Sequence, residues 1–263
     1  MSVFAGHTGR LTLNSLHATL TVCVLMVDTL YWAVVAPLRG RGFRAKNAVQ
    51  QFVEYGAHSL PIVMLICFLI GAIMAMQSSY QLARFGAAHL VANLVGVAAM
   101  REFAPLMTAI IITGRSGSAI TAEIGTMKVA EEIDALEVMG LNVTKFLVVP
   151  KFTGMVLAVP MVTQIAVATM IFGGFVTSTV VIGIDPGLYL SQTADALVFK
   201  DLMVGIVKSI FFAIVICWVG VFRGFQVYGG AEGVGKQTTS SVVTSIFLFI
   251  FLDMIFTVFF YFV

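Results

Sequence analysis

The sequence predicts an all-α polytopic integral membrane protein, and three observations support this prediction. Hydrophobic residues make up 59% of the 263 residues and charged residues only 11%, with a mean hydropathy of +1.01. Soluble domains carry about 25% charged residues, and one of this size could not hide so much apolar surface from water. The other two observations are five long apolar runs and a one-sided distribution of Lys and Arg. Together they disfavour a soluble enzyme, a nucleic-acid-binding protein and a disordered chain.

The first apolar segment, 11–37, is the hardest to assign within a predicted single domain of residues 1–263. Its second half is apolar, but the segment contains Asn14, His17 and Asp28. It is either a sixth span or a helix that lies in the membrane interface. A cleaved signal peptide is disfavoured because the apolar stretch is too long and a cluster of basic residues follows it directly.

Five later segments are predicted to span the membrane. Crossing a bilayer takes about 20 mostly apolar residues in a helix. The first and third segments contain no charged residue, and each of the others contains one or two. The five predicted spans are 59–83, 87–114, 152–184, 202–222 and 239–263.

The distribution of Lys and Arg predicts the orientation. If the cluster at 39–46 is cytoplasmic and the five spans alternate, the cytoplasmic side carries ten basic residues and the far side only Arg84 and Lys200. Such an excess is typical of cytoplasmic loops. The C-terminus is then predicted to be periplasmic and the N-terminus cytoplasmic. The ten residues are Arg39, Arg41, Arg44, Lys46, Arg115, Lys128, Lys145, Lys151, Arg223 and Lys236.

Four charged side chains fall inside the predicted spans. A charge at a helix centre costs roughly 2.5–3.5 kcal/mol on insertion scales, so these groups are expected to face a bundle interior or a watery cavity. Lys208 and Asp253 are natural partners, and Asp253 is predicted to be structural. One alternative is that all four groups form ion pairs that only fix helix packing. The favoured interpretation is a polar patch that binds a charged head group through Arg101, Glu102 and Lys208.

The longest polar stretch lies between the second and third spans, where 121–140 is predicted to form one cytoplasmic helix that ends at Gly140. Val129, Ile133 and Leu136 follow the spacing of one helix face. Acidic flanks suit anionic lipid poorly, so docking to a protein partner is favoured over a helix that rests on the membrane. The candidate docking residues are Glu123, Lys128, Val129, Glu131, Glu132, Ile133 and Leu136.

Two short motifs suggest enzymes but lack the required context. Residues 230–237 nearly match a phosphate-binding loop, but they lie in a short loop between two spans rather than in an α/β domain. Residues 114–117 match the G-x-S-G of intramembrane serine proteases, with His58 as the one plausible base for Ser116. Neither interpretation is favoured, so no catalytic residue is expected. The three cysteines lie far apart without metal-ligand spacing, and no metal site is expected.

One long stretch resembles a known family. The run REFAPLMTAIIITGRSGSAITAEIGTMKVAEEIDALEVMG (101–140) is similar to the MlaE/YrbE family of ABC-transporter permeases. The resemblance continues through VVPKF (148–152), GGFVTS (173–178), the KSIFFA that starts at Lys208, and the final span with Asp253. It covers most of the chain from about residue 39 onward.

The resemblance implies a multi-pass permease of the Gram-negative inner membrane that works as a homodimer. Its implied partners are cytoplasmic ABC ATPase subunits, a STAS-domain protein and a periplasmic ring of MCE-domain protein. Its cargo would be glycerophospholipid, moved between the inner and outer membranes to maintain outer-membrane lipid asymmetry. ATP and Mg would be bound by the ATPase, and this chain would bind no cofactor.

The resemblance also implies positions within the fold. The family fold is an N-terminal interfacial helix followed by five spans, which favours an interfacial 11–37. The family's coupling helix, which contacts the ATPase, falls on 123–139, and its cavity charges fall on Arg101, Glu102 and Lys208. Three other functions stay open: an ion-coupled secondary transporter of a lipid-like or amphipathic substrate, a non-transporting scaffold, and an intramembrane protease.

Overall fold

The computed structural model describes residues 24–35 and 45–262, and all regular elements in these residues are helical. The α-helices are α1 (Val24–Ala33), α2 (Ala45–Tyr55), α3 (Leu60–Ala83), α4 (Val91–Ala98), α5 (Ala104–Ile112), α6 (Ser118–Val129), α7 (Glu132–Val138), α8 (Val149–Thr177), α9 (Pro186–Ala196), α10 (Phe199–Phe225) and α11 (Gly230–Phe262). Wider π turns occupy Tyr31–Val35, Ala99–Phe103, Thr113–Gly117, Thr144–Val148 and Ser178–Ile182, and a short 3₁₀ turn occupies Ala88–Leu90.

Within the described residues, five continuous helical stretches are long and apolar enough to cross a membrane. The predicted number of spans is therefore confirmed. The observed stretches extend past most of the predicted bounds because the helices continue into their polar flanks. Most notably, the second span runs 15 residues beyond its predicted end at 114. The five stretches are Lys46–Ala83, Val91–Val129, Thr144–Ile182, Phe199–Phe225 and Gly230–Phe262.

The predicted segment 11–37 is described only in part. Within it, α1 covers Val24–Ala33, and its final π turn packs against α8. The rest of 11–37 and most of the basic cluster at 39–46 lie outside the described residues. Whether this segment is interfacial stays a prediction.

Helix α8 forms the centre of the bundle and packs most tightly against α3. A Cβ atom added at Gly71 would lie 1.9 Å from the carbonyl oxygen of Met170, and one at Gly173 would lie 2.1 Å from that of Phe68. Each helix therefore contributes a glycine where the backbone of the other approaches. Small residues permit this close packing, which is a main source of helix association in membranes.

Two of the π turns have a clear covalent cause. Proline lacks an N–H group, and its ring collides with the carbonyl four residues earlier, so the α-helical ladder is interrupted before it. Pro105 follows the turn Ala99–Phe103, and Pro150 follows the turn Thr144–Val148. The helix continues past both positions with a local widening. The first of these turns carries the charged pair of the second span.

Basic side chains collect at one end of the bundle, called the basic end, which carries Arg115, Lys128, Lys145, Lys151, Arg223 and Lys236. Contacts between neighbouring helices there include Lys128, which donates to the carbonyl of Phe225, and Lys145, which lies 4.6 Å from the ring centre of Trp32. The opposite end carries Arg84 and Lys200.

Two helices were not predicted from the sequence. At the basic end, α2 forms the first part of the stretch Lys46–Ala83 and packs on α8, where Gly154 leaves room for Gln51. At the opposite end, α9 begins after Asp185, whose carboxylate accepts a hydrogen bond of 2.9 Å from the backbone N–H of Leu188. Both are short and contain polar residues, so hydropathy alone does not reveal them.

Candidate functional site

Five charged residues of the second, fourth and fifth spans and one threonine form two contact groups that meet at the sequence neighbours Arg101 and Glu102. Together they are called the charge cluster: Arg101, Glu102, Asp201, Lys208, Asp253 and Thr257. At its centre, the ammonium group of Lys208 is completely buried. It donates to Oε2 of Glu102 at 2.5 Å and to Oγ1 of Thr257 at 2.9 Å, and it lies 3.0 Å from Oδ1 of Asp253. The ion pair predicted between Lys208 and Asp253 is therefore present.

Glu102 closes the network. Its Oε1 accepts a hydrogen bond of 3.0 Å from the hydroxyl of Thr257, while its Oε2 binds Lys208. The carboxylate thus joins the fourth and fifth spans to the second. Thr257 was missed in the sequence analysis because a hydroxyl gives no charge signal in an apolar helix.

Local backbone packing brings these groups together. A Cβ atom at Gly205 would lie 2.5 Å from the carbonyl oxygen of Met100, so α10 touches the backbone of the π turn directly. Lys208 follows Gly205 by about one helical turn and therefore points from the same face. Glu102 lies two residues after Met100. The glycine and the proline-induced turn place the two charges in register.

Arg101 pairs elsewhere. Its Nη1 lies 3.5 Å from Oδ1 of Asp201, in the first turn of α10. The side chain of Asp201 is buried, whereas that of Arg101 keeps 30% of its surface exposed. Asp201 was missed because it falls at the polar start of a span. Arg101 is the more accessible of the two cations in the charge cluster.

The charge cluster contains more acidic than basic side chains. When all are ionised, it has two cations and three carboxylates, so its formal net charge is −1. Lys208 donates hydrogen bonds to Glu102 and Thr257 and forms an ion pair with Asp253, and a direct bond to a ligand would compete with these contacts. Arg101 is therefore the cation of the charge cluster with more room for a direct contact to a ligand.

The second candidate site is the polar stretch at the basic end, and here the predicted single helix is wrong. The second span continues to Val129, and the chain then turns at Ala130 and Glu131 before α7 begins. Glu131 has a φ of 58°, in the left-handed region that helices do not use. The range 121–140 therefore contains the end of a span and a separate seven-residue helix.

This break changes which apolar side chains are available. Ile133 and Leu136 are buried against the bundle, whereas Val129 is exposed. The three do not form one exposed stripe, because the spacing rule fails across a turn. The exposed apolar residues lie after them, at Val138, which is 89% exposed, and at Met139. Two of the predicted docking residues, Ile133 and Leu136, therefore anchor α7 and do not face a partner.

We call the exposed end of this segment the α7 tip, defined as Val138, Met139 and Leu141. Four exposed acidic residues precede it on the same segment, namely Glu131, Glu132, Asp134 and Glu137. The tip is thus a small apolar surface that follows an acidic stretch, which we call its acidic border.

Two of the predicted docking residues instead hold this region to the other spans. Glu123 accepts a hydrogen bond of 2.5 Å from Lys151, whose side chain is buried in the third span. Lys128 binds the carbonyl of Phe225 at the end of the fourth span. The second, third and fourth spans are therefore tied together immediately before the turn into α7.

The geometry gives no support for a serine nucleophile. His58 lies 2.8 Å from Glu54, and no hydrogen bond joins His58 to the buried Ser116 in the described part of the chain. Arg115 binds Oγ of Ser59 at 2.9 Å and also contacts Glu54. This region of the basic end is a structural clamp between the first two spans.

Metal-ligand clusters and the near-match to a phosphate-binding loop can also be compared with the structure. In the described residues, no group of three or more His, Cys, Asp and Glu side chains could hold a metal ion. The motif resembling a phosphate-binding loop lies in the first turns of α11, and no strand precedes it in the described range.

Comparison with known proteins identifies the family. A family profile described as "Permease MlaE" matches residues 48–259. The chain is 34% identical over 197 residues to a probable ABC transporter permease protein of Rickettsia typhi, covering 75% of this chain and 76% of the relative. It is 33% identical over 230 residues to one of Pyropia yezoensis, covering 88% of each.

A third relative has a more specific name. The chain is 32% identical over 210 residues to the intermembrane phospholipid transport system permease protein MlaE of Haemophilus influenzae, covering 80% of each chain. The residues matched by the family profile, 48–259, contain the charge cluster, α7 and all five spans except the first residues of the first span and the last residues of the fifth. This chain is a multi-pass inner-membrane protein that belongs to the MlaE family of ABC transporter permeases.

Proposed function

We propose that this permease moves glycerophospholipids between the inner and outer membranes of a Gram-negative bacterium and so maintains outer-membrane lipid asymmetry. The observation that carries the proposal is the 32% identity, over 80% of both chains, to a permease named for intermembrane phospholipid transport. A charge cluster inside the spans supports it, since an ionisable group within the membrane marks a functional site by default.

Arg101 is the proposed contact for the lipid phosphate. Its separation of 3.5 Å from Asp201 is longer than a charge-assisted hydrogen bond, and almost a third of its surface is exposed. A guanidinium group offers several donors in a plane that matches phosphate oxygens. Glu102 and Lys208 complete the proposed substrate site by fixing the second and fourth spans around it.

The working unit is proposed to be a homodimer. In the most apolar part of α11, only 11% of the residues are buried within the chain. This is the smallest buried share among the five spans. Its exposed aromatic and aliphatic side chains suit either lipid or a second copy. Two copies facing each other would enclose an apolar cavity for acyl chains, next to Arg101 of each copy.

A separate ATPase is proposed to drive transport. In this scheme the ATPase binds ATP and Mg, and this chain has no catalytic role and binds no cofactor. The α7 tip is the proposed docking point because its exposed apolar residues carry an acidic border that suits a basic groove. Glu123 and Lys128 would transmit the movement through their contacts with the third and fourth spans.

The remaining partners and the orientation rest on the family resemblance and on the distribution of charge. A STAS-domain protein is proposed on the cytoplasmic side and a ring of MCE-domain protein on the periplasmic side. The basic end is proposed to be cytoplasmic, as the positive-inside rule expects. The N-terminus would then be cytoplasmic and the C-terminus periplasmic.

One observation favours a second candidate, an ion-coupled secondary transporter of an amphipathic substrate. The carboxylates of Glu102 and Asp253 lie on either side of Lys208 inside the spans, and acid chains of this kind relay protons in pumps. Transport by such a protein would stop when a protonophore collapses the proton gradient. Transport by the proposed ABC permease would stop only when ATP hydrolysis is blocked.

The test is co-purification of the full chain from native membranes, followed by mass spectrometry of bound proteins and lipids. Recovery of an ABC ATPase and glycerophospholipid supports the proposal. Recovery of the chain alone, with transport in reconstituted vesicles that follows the proton gradient, overturns it in favour of the second candidate. Recovery of a protein partner without lipid, and with no transport, would indicate a scaffold.

A further inference from the structure

A groove between the fourth and fifth spans lies outside the sites described above. It has a volume of about 190 Å³ and is lined on α10 by residues at the spacing of one helix face. Met26 of α1 and two residues of α11 complete it. The α10 residues are Val215, Trp218, Val219, Phe222 and Arg223, and those of α11 are Thr244 and Leu248.

The groove is apolar except at one end, where Arg223 lies. Arg223 binds two neutral acceptors, Oγ1 of Thr244 at 3.1 Å and Oε1 of Gln226 at 3.5 Å. No carboxylate of the described residues lies within ion-pair distance of it, in contrast to Arg101, Arg115, Lys151 and Lys208. Its positive charge is therefore not neutralised by the part of the chain that the structure describes.

Two hydrogen-bond donors at the groove are also without acceptors. Nε of Arg223 and Nε1 of Trp218 are both buried, and neither has a hydrogen-bond partner among the described atoms. A buried donor without a partner costs about 1–3 kcal/mol, and such groups usually indicate a missing acceptor. A cation with one unpaired donor, beside the unpaired indole N–H of Trp218, calls for an anionic acceptor.

The position of the groove identifies the source of that anion. Arg223 lies two residues before the end of α10, and its neighbour Phe225 is bound by Lys128 at the basic end. It follows Lys208 by 15 residues on one helix, or about 22 Å at the helical rise, so it is far from the charge cluster. At the end of a membrane span, lipid phosphates are the abundant anions. The other lining residues of the groove are mostly apolar, as an acyl chain requires.

We propose that this groove binds one anionic phospholipid from the leaflet at the basic end, with an acyl chain against Trp218 and Val219 and the phosphate on Arg223. This lipid is not the transported one, because the groove and the charge cluster lie at different depths. The site stabilises the contact between the fourth and fifth spans, which line the groove on both sides. The inference does not depend on the direction or identity of the cargo.

The test is native mass spectrometry of the purified full-length chain, delipidated in detergent and titrated with dioleoyl phosphatidylglycerol. The variant Arg223→Gln removes the charge, Leu248→Trp fills the groove while keeping the charge, and Trp218→Phe removes one donor while keeping the stacking on Phe152. We expect the first two variants to lower the affinity for the most tightly bound lipid about tenfold, and the third to lower it by a smaller factor. Lys236→Gln, an equal change of charge on an exposed residue at the same end, should leave it unchanged.

Three results would overturn the site. In the first, Arg223→Gln and Leu248→Trp bind phosphatidylglycerol as the parent chain does. In the second, inorganic phosphate alone displaces the lipid, which would show a simple anion site. In the third, the variants change the mass of the oligomer while leaving the number of lipids per chain unchanged, which would assign the groove to a second copy. If the larger substitutions prevent folding, Trp218→Phe still tests the site: a lower lipid affinity supports it, and an unchanged affinity contradicts it.

Discussion

Lys208 and Glu102 form an ion pair of 2.5 Å across 106 positions of sequence, between the fourth and second spans. The lysine is fully buried, whereas the carboxylate keeps about a third of its surface exposed. The pair is therefore both a joint between helices and a boundary of the candidate substrate site. A change at either residue should be visible first in stability and only then in transport.

Replacing Lys208 with Met should destabilise the protein strongly. Removal of one partner from a buried pair typically costs about 3–5 kcal/mol, because the remaining charge is buried without compensation. Two carboxylates, those of Glu102 and Asp253, would lose their cation here. Thermal unfolding in detergent measures the effect, and Lys236→Met, on an exposed residue, is the control.

The combined variant Lys208→Met/Glu102→Gln should recover part of the lost stability, since it removes a carboxylate together with the cation. A double-mutant cycle gives the coupling between the two residues directly. Additive effects would show that the contact contributes nothing beyond each side chain alone, and would contradict the geometry.

Arg101→Ala should reduce the phospholipid that remains bound during purification without preventing dimer assembly. Its pairing with Asp201 is long and partly exposed, and the buried Asp201 carboxylate keeps a hydrogen bond from the backbone N–H of Val198, so the chain should still fold. Loss of a charged hydrogen bond should reduce retention about tenfold. Lipid mass spectrometry measures it, with Arg84→Ala at the opposite end as the matched control. An unchanged lipid load together with normal transport would exclude the head-group role.

Met139→Asp should abolish co-purification of the ATPase while the chain still folds. Met139 belongs to the α7 tip and is 64% exposed, so the change buries no charge within the chain. Phe85→Asp is the matched control, because Phe85 is also apolar and exposed but follows the first span at the opposite end. If Met139→Asp retains the ATPase and loss occurs only with Glu123 or Lys128 variants, docking lies nearer the spans than we propose.

Gly71→Leu should disrupt the bundle. The new side chain would have to displace the backbone of α8 at Met170, where even a Cβ atom lies 1.9 Å from the carbonyl oxygen. We expect a loss of several kcal/mol or failure to fold, measured by thermal unfolding in detergent. Gly235→Ala is the control, because nothing lies within 4 Å of its Cβ position and α-helical alanine is favoured by about 0.5–1 kcal/mol.

Glu131→Gly should leave the stability unchanged or raise it by up to about 1 kcal/mol. Glu131 is the one described residue other than glycine with a positive φ, and a side chain in that conformation costs about 1–2 kcal/mol. Glycine adopts it freely, although it also gives the unfolded chain more freedom. Glu132→Gly, in the first turn of α7, should instead destabilise. Equal losses in the two variants would show that the backbone at Glu131 is not strained.

Hydropathy and charge predicted the spans and most of the charge cluster because both signals are strong in a membrane. A charged residue such as Lys208 inside an apolar run must find a partner, and Asp253 was the natural candidate. The third partner, Thr257, is polar but uncharged, and Asp201 lies at the polar start of a helix. Neither residue gives a distinct signal in the hydropathy or charge pattern. Only the packing of the three spans shows that both belong to the charge cluster.

The docking segment shows the opposite case. The spacing of Val129, Ile133 and Leu136 assumes an unbroken helix, and the turn at Glu131 depends on one backbone angle that sequence periodicity does not report. Ile133 and Leu136 are apolar because they hold α7 to the bundle. The family resemblance assigned the coupling helix to 123–139, but the first part of this range belongs to the second span, and the resemblance did not distinguish the residues that anchor α7 from those that face outward.

The second span has a mechanical consequence. It is helical without interruption from Val91 to Val129, so the residues that precede α7 and the pair Arg101–Glu102 belong to one rod. At the helical rise the distance from Arg101 to Val129 is about 40 Å, longer than the hydrocarbon core of a bilayer. A tilt imposed at one end of such a rod displaces the other end without any change in local structure. The π turn at Thr113–Gly117, which itself contains Gly114 and Gly117, is the point along the rod where a hinge would act.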